Sequence, residues 1–210
     1  MSVTASRGPG RPPGTKSAQT RERIIRGARD VFSAVGYDAA TFEEIATRAD
    51  LTRPAINHYF PNKRLLYREV VDMTHATVME ASVERAEQEA TLLGQIRVFM
   101  ALVIQADPDR SAAKFMVTAV LESHRHPDLC EPEQDFVART RAFIAKLVTA
   151  ARDRGELEAD TDVAGLVDML LALLWGMGFY AGFAGGIDGL EAAAGQLQRL
   201  FVGSLWNANR

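Results

Sequence analysis

Four polar side chains within one short segment have the types that suit contact with duplex DNA. They are Arg53, Asn57, His58 and Tyr59. Asn can pair bidentately with adenine and Arg with guanine in the major groove, whereas Tyr and Thr hydroxyls more often meet phosphate. Ile56 and Phe60 share their helix at spacings that predict an inward, apolar face. The alternative is an ordinary helical hairpin with a polar surface.

Two short helices with a tight turn between them are needed to present these side chains. Thr41 and Glu44 form the Thr-x-x-Glu pattern of a capping box, in which two backbone donors are satisfied reciprocally. Asp50 follows, and Asp tolerates the left-handed conformation that a tight turn needs. Thr52 then predicts a second cap, and Pro54 is tolerated in a first helical turn. The sequence therefore predicts a helix-turn-helix.

The flanking segments fit the same plan. Thr20–Val35 has an apolar stripe at helical spacing, and Gly36 predicts its C-cap. After the second short helix, Asn62 predicts a cap for a helix that continues toward Glu89. Lys63 lies in the first turn of that helix, where a cation opposes the helix dipole. Its position therefore indicates a nearby phosphate.

Charge is distributed unevenly along the 210 residues, although the formal net charge is only -3. Residues 1–68 hold 12 Lys/Arg against 6 Asp/Glu, and residues 69–210 hold 12 against 21. A basic N-terminal third on an acidic body indicates a polyanionic partner at one end. Cys130 is the only cysteine, so no intramolecular disulfide is possible, and a reducing compartment fits.

Sites for metals, cofactors and catalysis are not predicted. His124 and His126 lack a third ligand at a recognisable spacing, so we expect a solvated loop rather than a metal site. The sequence has no nucleophile elbow, no phosphate-cradling glycine loop and no zinc signature. We therefore expect a protein that is not an enzyme and has no cofactor.

The span from Thr20 to Leu66 resembles the DNA-binding domain of TetR-type bacterial transcriptional regulators. The resemblance lies in TRERIIRGARDVFSAVGYDAATFEEIA and, after the turn, in AINHYFPNKRLLY. The chain departs from the family pattern at Asp50, where glycine is frequent, and at Asn57–Phe60, where Tyr-Tyr-His-Phe is frequent. The resemblance implies an all-α homodimer of about nine helices. Its expected parts are a basic arm (1–18), a three-helix DNA-binding head (19–66) and a ligand-binding and dimerisation body (67–210).

The resemblance supports phosphate contacts by Thr41, Tyr59 and Lys63. In the arm, Gly10–Pro12 resembles the core of an AT-hook, in which the arginine lies in a narrow minor groove. The alternative is a solvated tail. The predicted DNA contacts are Arg11, Thr41, Thr52, Arg53, Asn57, His58, Tyr59 and Lys63.

The resemblance also implies that some apolar residues of the body line a ligand cavity rather than only a core. Few charged residues are available inside, so a mostly apolar ligand is expected. The predicted lining is Phe99, Met100, Val103, Phe115, Met116, Phe143, Leu147, Leu174 and Met177.

The run Met169–Ile187 carries no charged residue and is long enough to span a membrane. Its five glycines and the lack of a flanking Lys/Arg cluster favour a buried interface helix. A helix that is apolar around most of its circumference must be covered on nearly all sides, and the last two helices are therefore expected to pack against their symmetry mates. The predicted interface residues are Leu171, Trp175, Gly178, Phe179, Gly182, Leu197 and Phe201.

Together these features predict a DNA-binding transcriptional regulator, in the form of a repressor released from a palindromic operator by a small, mostly apolar ligand. An activator or an effector-independent regulator is the alternative within the class, and a helical adaptor without DNA binding is the alternative outside it. We expect it in the bacterial cytoplasm, associated with the nucleoid.

Overall fold

The computed structural model describes residues 13–129, 131, 135–185 and 187–205. Arg11, the predicted arm motif and Cys130 lie outside the described residues. Helices of the head and linker are α1 (Pro13–Ala39), α2 (Phe42–Arg48), α3 (Arg53–Tyr59), α4 (Lys63–His75) and α5 (Ala81–Ala86). Helices of the body are α6 (Leu92–Ala106), α7 (Ser111–Arg125), α8 (Phe136–Asp153), α9 (Val163–Phe179) and α10 (Ile187–Phe201).

Two π-helical segments extend these helices. Ala76–Glu80 joins α4 to α5 without a break, and Tyr180–Ala184 continues α9. If α4, its π segment and α5 are counted as one rod, the described ranges contain nine helical rods and no strand. The predicted all-α class and helix number are therefore confirmed.

Some helix ends differ from the sequence-based prediction. α1 begins at Pro13 rather than near Thr20, and its regular path breaks at Gly36, where φ is 78°. A positive φ favours glycine, so Gly36 ends the straight part of α1 as predicted. α9 is capped by Asp162, whose carboxylate accepts a hydrogen bond from the Gly165 amide.

The core of the head continues into the body. Ile24 and Phe32 of α1, Ile56 of α3 and Tyr67 of α4 pack in the same cluster as Phe115 of α7. α1 therefore contacts α7 along its length as well as α2 and α4. A movement in the body can reach the head through this shared core.

α9 packs against both α7 and α8. The helix and its π extension, Val163–Ala184, are long and apolar enough to cross a membrane by length and composition. One face of α9 is nevertheless in the body core, where Val167, Leu170 and Leu171 pack against Ile144 and Val148 of α8.

Candidate DNA-binding surface and ligand cavity

The predicted capping box at the start of α2 is present. The Thr41 hydroxyl accepts a hydrogen bond from the Glu44 amide at 3.2 Å, and the Glu44 carboxylate accepts one from the Thr41 amide at 2.9 Å. At the start of α3, the Thr52 hydroxyl accepts a hydrogen bond from the Ala55 amide at 3.4 Å. These caps fix where both short helices begin, and therefore which residues face outward.

The turn between α2 and α3 is supported from α1. Asp50 has φ of 52°, in the left-handed region that the sequence predicted for this turn. The Arg23 guanidinium donates to the carbonyl oxygens of Ala49 at 2.7 Å and Asp50 at 2.9 Å. Gly27 faces Ala49 closely, since an added Cβ would lie 3.2 Å from the Ala49 Cβ. Sequence reasoning missed this role of Arg23, because its partners lie 26 and 27 residues away.

α3 presents its polar residues on one surface. Arg53, Asn57 and His58 are exposed, whereas Ile56 is fully buried beneath them. The half-buried Tyr59 ring meets the His58 ring edge-on, with centroids 5.3 Å apart. The predicted set is thus brought together on an exposed surface of a helix whose buried face is anchored in the core.

Lys63 has a second role that the sequence did not reveal. Its ammonium donates to the carbonyl oxygens of Tyr37, Asp38 and Ala40 at 2.7, 3.0 and 2.9 Å. It also lies 4.6 Å from the centroid of the Tyr37 ring. These carbonyls end α1 and lead into α2, so Lys63 neutralises a cluster of acceptors there. A phosphate contact by Lys63 stays a prediction, and such a contact would have to share this ammonium with three carbonyls.

A partly open cavity of about 90 Å³ lies in the body, lined by the π segment after α4, by α6, α7 and α8, and by α9 with the start of α10. Six of the nine predicted lining residues border it. They are Phe99, Met100, Val103, Met116, Leu174 and Met177. Phe143 and Leu147 instead border a much smaller neighbouring space. Phe115 is fully buried in the core shared by head and body.

Polar residues of the cavity wall were not predicted. Asp107 and Arg110 come from the loop between α6 and α7, Thr140 from α8, and Trp175 from α9. Burial raises the pKa of the Asp107 carboxyl, and hydrogen bonds from the Ala112 and Ala113 amides act in the opposite direction. Arg110 has φ of 60°, which is uncommon for a residue with a side chain. No spacing or motif in the sequence marks these four polar residues as part of the cavity wall.

The α6–α7 loop lies between the cavity and the head. Arg110 borders the cavity on one side, and on the other it borders a groove formed with Asp30, Val31 and Ala34 of α1. The Arg110 guanidinium donates through Nη1 to the carbonyl oxygens of Ile104 and Asp107 at 3.2 and 3.1 Å. One side chain therefore borders both the cavity and the helix on which the α2–α3 turn rests.

Most of the predicted dimer-interface residues make contacts within their own subunit but are only half-buried there, and their role in a dimer stays a prediction. Leu171 and Trp175 pack in its core, Gly178 borders the cavity, and Leu197 and Phe201 face α6 and α9. Gly182 approaches α7 so closely that an added Cβ would lie 2.9 Å from the Lys114 Cα. Phe179 is different, since it is 54% exposed. α9 is apolar around its circumference, so periodicity could not tell its inner face from its outer face.

The outer face of α9 carries an apolar stripe that continues onto its π extension. Its members recur at intervals of three and four residues, and they are Met169, Ala172, Gly176, Phe179 and Phe183. The Phe179 and Phe183 rings stack with centroids 5.5 Å apart. Leu200 and Val202, near the end of α10, add 44% and 55% exposed apolar side chains.

A capped helix-turn-helix joined to a larger helical body is the plan of a DNA-binding transcriptional regulator. Residues 24–70 match the family model described as bacterial regulatory proteins, tetR family. Residues 86–180 match the model described as tetracyclin repressor-like, C-terminal domain. The chain belongs to the TetR family of transcriptional regulators, as the sequence motifs predicted.

Individual relatives agree with this assignment. The HTH-type transcriptional repressor BepR of Brucella suis is 26% identical over 169 residues, which cover 77% of this chain and 79% of BepR. The HTH-type transcriptional regulator UidR of Escherichia coli is 22% identical over 163 residues, which cover 78% of this chain and 82% of UidR. A TetR transcriptional regulator from Chloroflexus aurantiacus has the same fold, with a TM-score of 0.72, 21% identity, and coverage of 90% of this chain and 96% of that one.

Proposed function

We propose that this protein is a homodimeric repressor that occupies a palindromic operator and leaves it when a small, largely apolar molecule fills the body cavity. The observation that carries the proposal is the position of Arg110, which borders both the cavity and the groove against α1. A ligand that displaces Arg110 disturbs the start of α7, which packs against α1. Because Arg23 on α1 holds the α2–α3 turn, the change reaches the recognition helix.

On DNA, α3 lies in the major groove with Arg53 and Asn57 at base edges. Both side chains are exposed on the outer surface of that helix. His58 lies beside them, while the Tyr59 hydroxyl and the caps Thr41 and Thr52 meet phosphates. Arg11, in the N-terminal arm, contacts the minor groove beside the half-site.

The dimer forms through the outer face of α9 and the end of α10. An isologous interface brings the same patch of both subunits together, and the apolar stripe that contains Phe179 and Phe183 is such a patch. A contiguous apolar surface rarely stays open to water unless it serves an interaction. Burying this stripe also explains how a helix of membrane-spanning length remains in a cytoplasmic, nucleoid-associated protein.

Selection of bound sequences from random duplex DNA, followed by footprinting, tests the proposal. Two half-sites related by two-fold symmetry are expected, about 34–36 Å apart or at a multiple of that distance. Affinity should fall steeply as salt is raised, because bound phosphates release counterions. A footprint without symmetry and with one chain per site would contradict the proposal, and so would binding that does not change with salt. Transcription in vitro from the selected site then distinguishes repression from activation.

A further inference from the structure

In the cavity wall, two hydrogen-bond donors lack partners whereas the acceptors have them. This difference indicates the chemistry of the ligand. We infer that the cavity binds a compact aromatic molecule that carries an uncharged carbonyl oxygen. The inference deepens the proposed function, since it rests on this cavity being the effector site.

Two donors in the wall lack partners. Trp175 Nε1 and Arg110 Nε are both buried, and neither has a hydrogen-bond partner among the described residues. Both side chains border the cavity. Buried polar groups are nearly always hydrogen-bonded, and leaving a donor unsatisfied costs about 1–3 kcal/mol. An acceptor atom on the ligand would satisfy these donors.

The acceptors in the same wall are already engaged. The Asp107 carboxylate accepts hydrogen bonds from the amides of Ala112 at 3.0 Å and Ala113 at 2.7 Å. The Thr140 hydroxyl donates to the Phe136 carbonyl at 2.7 Å. The wall therefore offers donors to a ligand and requires no donor in return.

The charge of the wall favours a neutral acceptor over an anionic one. Asp107 lies in the same wall as Arg110, so a ligand carboxylate would face a carboxylate as well as a guanidinium. The Arg110 charge is in addition held by two backbone carbonyls. Taking a ligand carboxylate from water into a mostly apolar cavity is far more costly than taking in a carbonyl.

Size and lining favour an aromatic ring. The cavity is small, at about 90 Å³, so it accommodates a compact molecule. Four methionines border it, namely Met79, Met100, Met116 and Met177, together with Phe99. Methionine sulfur makes favourable contacts with aromatic rings and adapts to irregular shapes. A single substituted ring fits this space better than a long chain.

Calorimetric titration of the full-length protein with four compounds of matched size tests the inference. They are acetophenone, benzoate, propylbenzene and phenethylammonium, which share a phenyl ring and differ in the group attached. Acetophenone should bind at least about tenfold more tightly than each of the others, because it alone offers a neutral acceptor. Tighter binding of benzoate than of acetophenone would contradict the inference that the ligand's acceptor is uncharged. Equal binding of propylbenzene would overturn the role of the donors, and no binding by any compound at millimolar concentration would overturn the ligand class.

Trp175→Phe provides the matched variant, since it keeps an aromatic ring and removes the Nε1 donor. Acetophenone affinity should fall about 5- to 30-fold, as expected for one lost hydrogen bond in a buried site. Propylbenzene affinity should stay within about twofold. An equal loss for both compounds would show that the indole acts through shape alone, and it would overturn the inference. Operator binding by ligand-free protein is measured in the same preparations, and its absence would count against the proposed function rather than against the ligand class.

Discussion

The head and the body of this protein differ in how many polar groups lack hydrogen-bond partners and in how much apolar surface they expose. In the head, side-chain caps, the Arg23 contacts and the Lys63 ammonium satisfy the ends of short helices that surround a buried apolar core. In the body, an internal cavity remains, donors in its wall lack partners, and an apolar stripe faces outward. On the proposed function, the head binds DNA with the residues it already presents, whereas the body is completed by other molecules, namely a ligand in its cavity and a second subunit on its outer face.

The largest expected effect comes from the outer surface of the body. Phe179→Glu places a charge in the middle of the exposed stripe of α9 and should dissociate the dimer. Operator affinity should then fall by about a hundredfold or more, because one recognition helix makes only half of the contacts. Sedimentation at micromolar concentration and operator titration measure both effects. Glu191→Gln, an exposed substitution on α10, is the control and should change neither. A dimer that survives Phe179→Glu would move the interface elsewhere.

Substitutions of two cationic residues in the head should distinguish an effect on DNA affinity from an effect on the free energy of unfolding. Arg53→Ala should weaken binding by about 5- to 150-fold and relax preference at one base position, which corresponds to about 1–3 kcal/mol for a bidentate pair. Its free energy of unfolding should change by less than about 0.5 kcal/mol, since Arg53 is exposed.

Lys63→Ala, in contrast, should lower the free energy of unfolding by about 1.5–3 kcal/mol, because three carbonyls lose a charged donor. Urea unfolding of both variants beside the parent provides the measurement. If Lys63 also contacts phosphate, its variant lowers the salt slope by roughly one unit without altering base preference. Unchanged stability of Lys63→Ala would show that the carbonyl cluster is satisfied by water.

Alanine substitutions at two glycines, one in α9 and one in its π extension, should change the free energy of unfolding in opposite directions. Gly178→Ala adds a Cβ that meets no atom within 4 Å, so helix propensity alone should stabilise the protein by about 0.5–1 kcal/mol. Gly182→Ala forces a Cβ to within 2.9 Å of the α7 backbone at Lys114, and it should destabilise by about 1–3 kcal/mol. Thermal unfolding of the pair measures the difference. Destabilisation by both would indicate that Gly178 is covered, for example by the second subunit.

The smallest effect concerns His75, at the end of α4 where head and body are joined. Burial lowers the pKa of His75 from its ordinary value of 6.5, and Arg139 acts in the same direction. The unfolded chain therefore binds the proton more readily, so the free energy of unfolding should fall as the pH drops below about 6.5. His75→Gln should reduce this slope between about pH 7.5 and 5.5, while the exposed His124→Gln should not. Equal slopes for both variants would exclude His75 as the cause.

The elements that depend on near neighbours along the chain are predictable from the sequence. The capping box of α2, the positive φ at Asp50 and Gly36, and the helices of the body arise from contacts within three or four residues, which the pattern of the sequence indicates. The family motif and the outward polar set of α3 follow from the same local rules.

Only the tertiary structure decided which long-range partners meet. Lys63 reaches carbonyls 23 to 26 residues away, and Arg110 and Trp175 meet in one cavity from separate helices. The rotation of α9 about its own axis could not be predicted from the sequence either, because a helix that is apolar on all sides has no preferred inward face. Packing against α7 and α8 set that rotation, and it placed Gly182 against the α7 backbone while leaving Phe179 exposed.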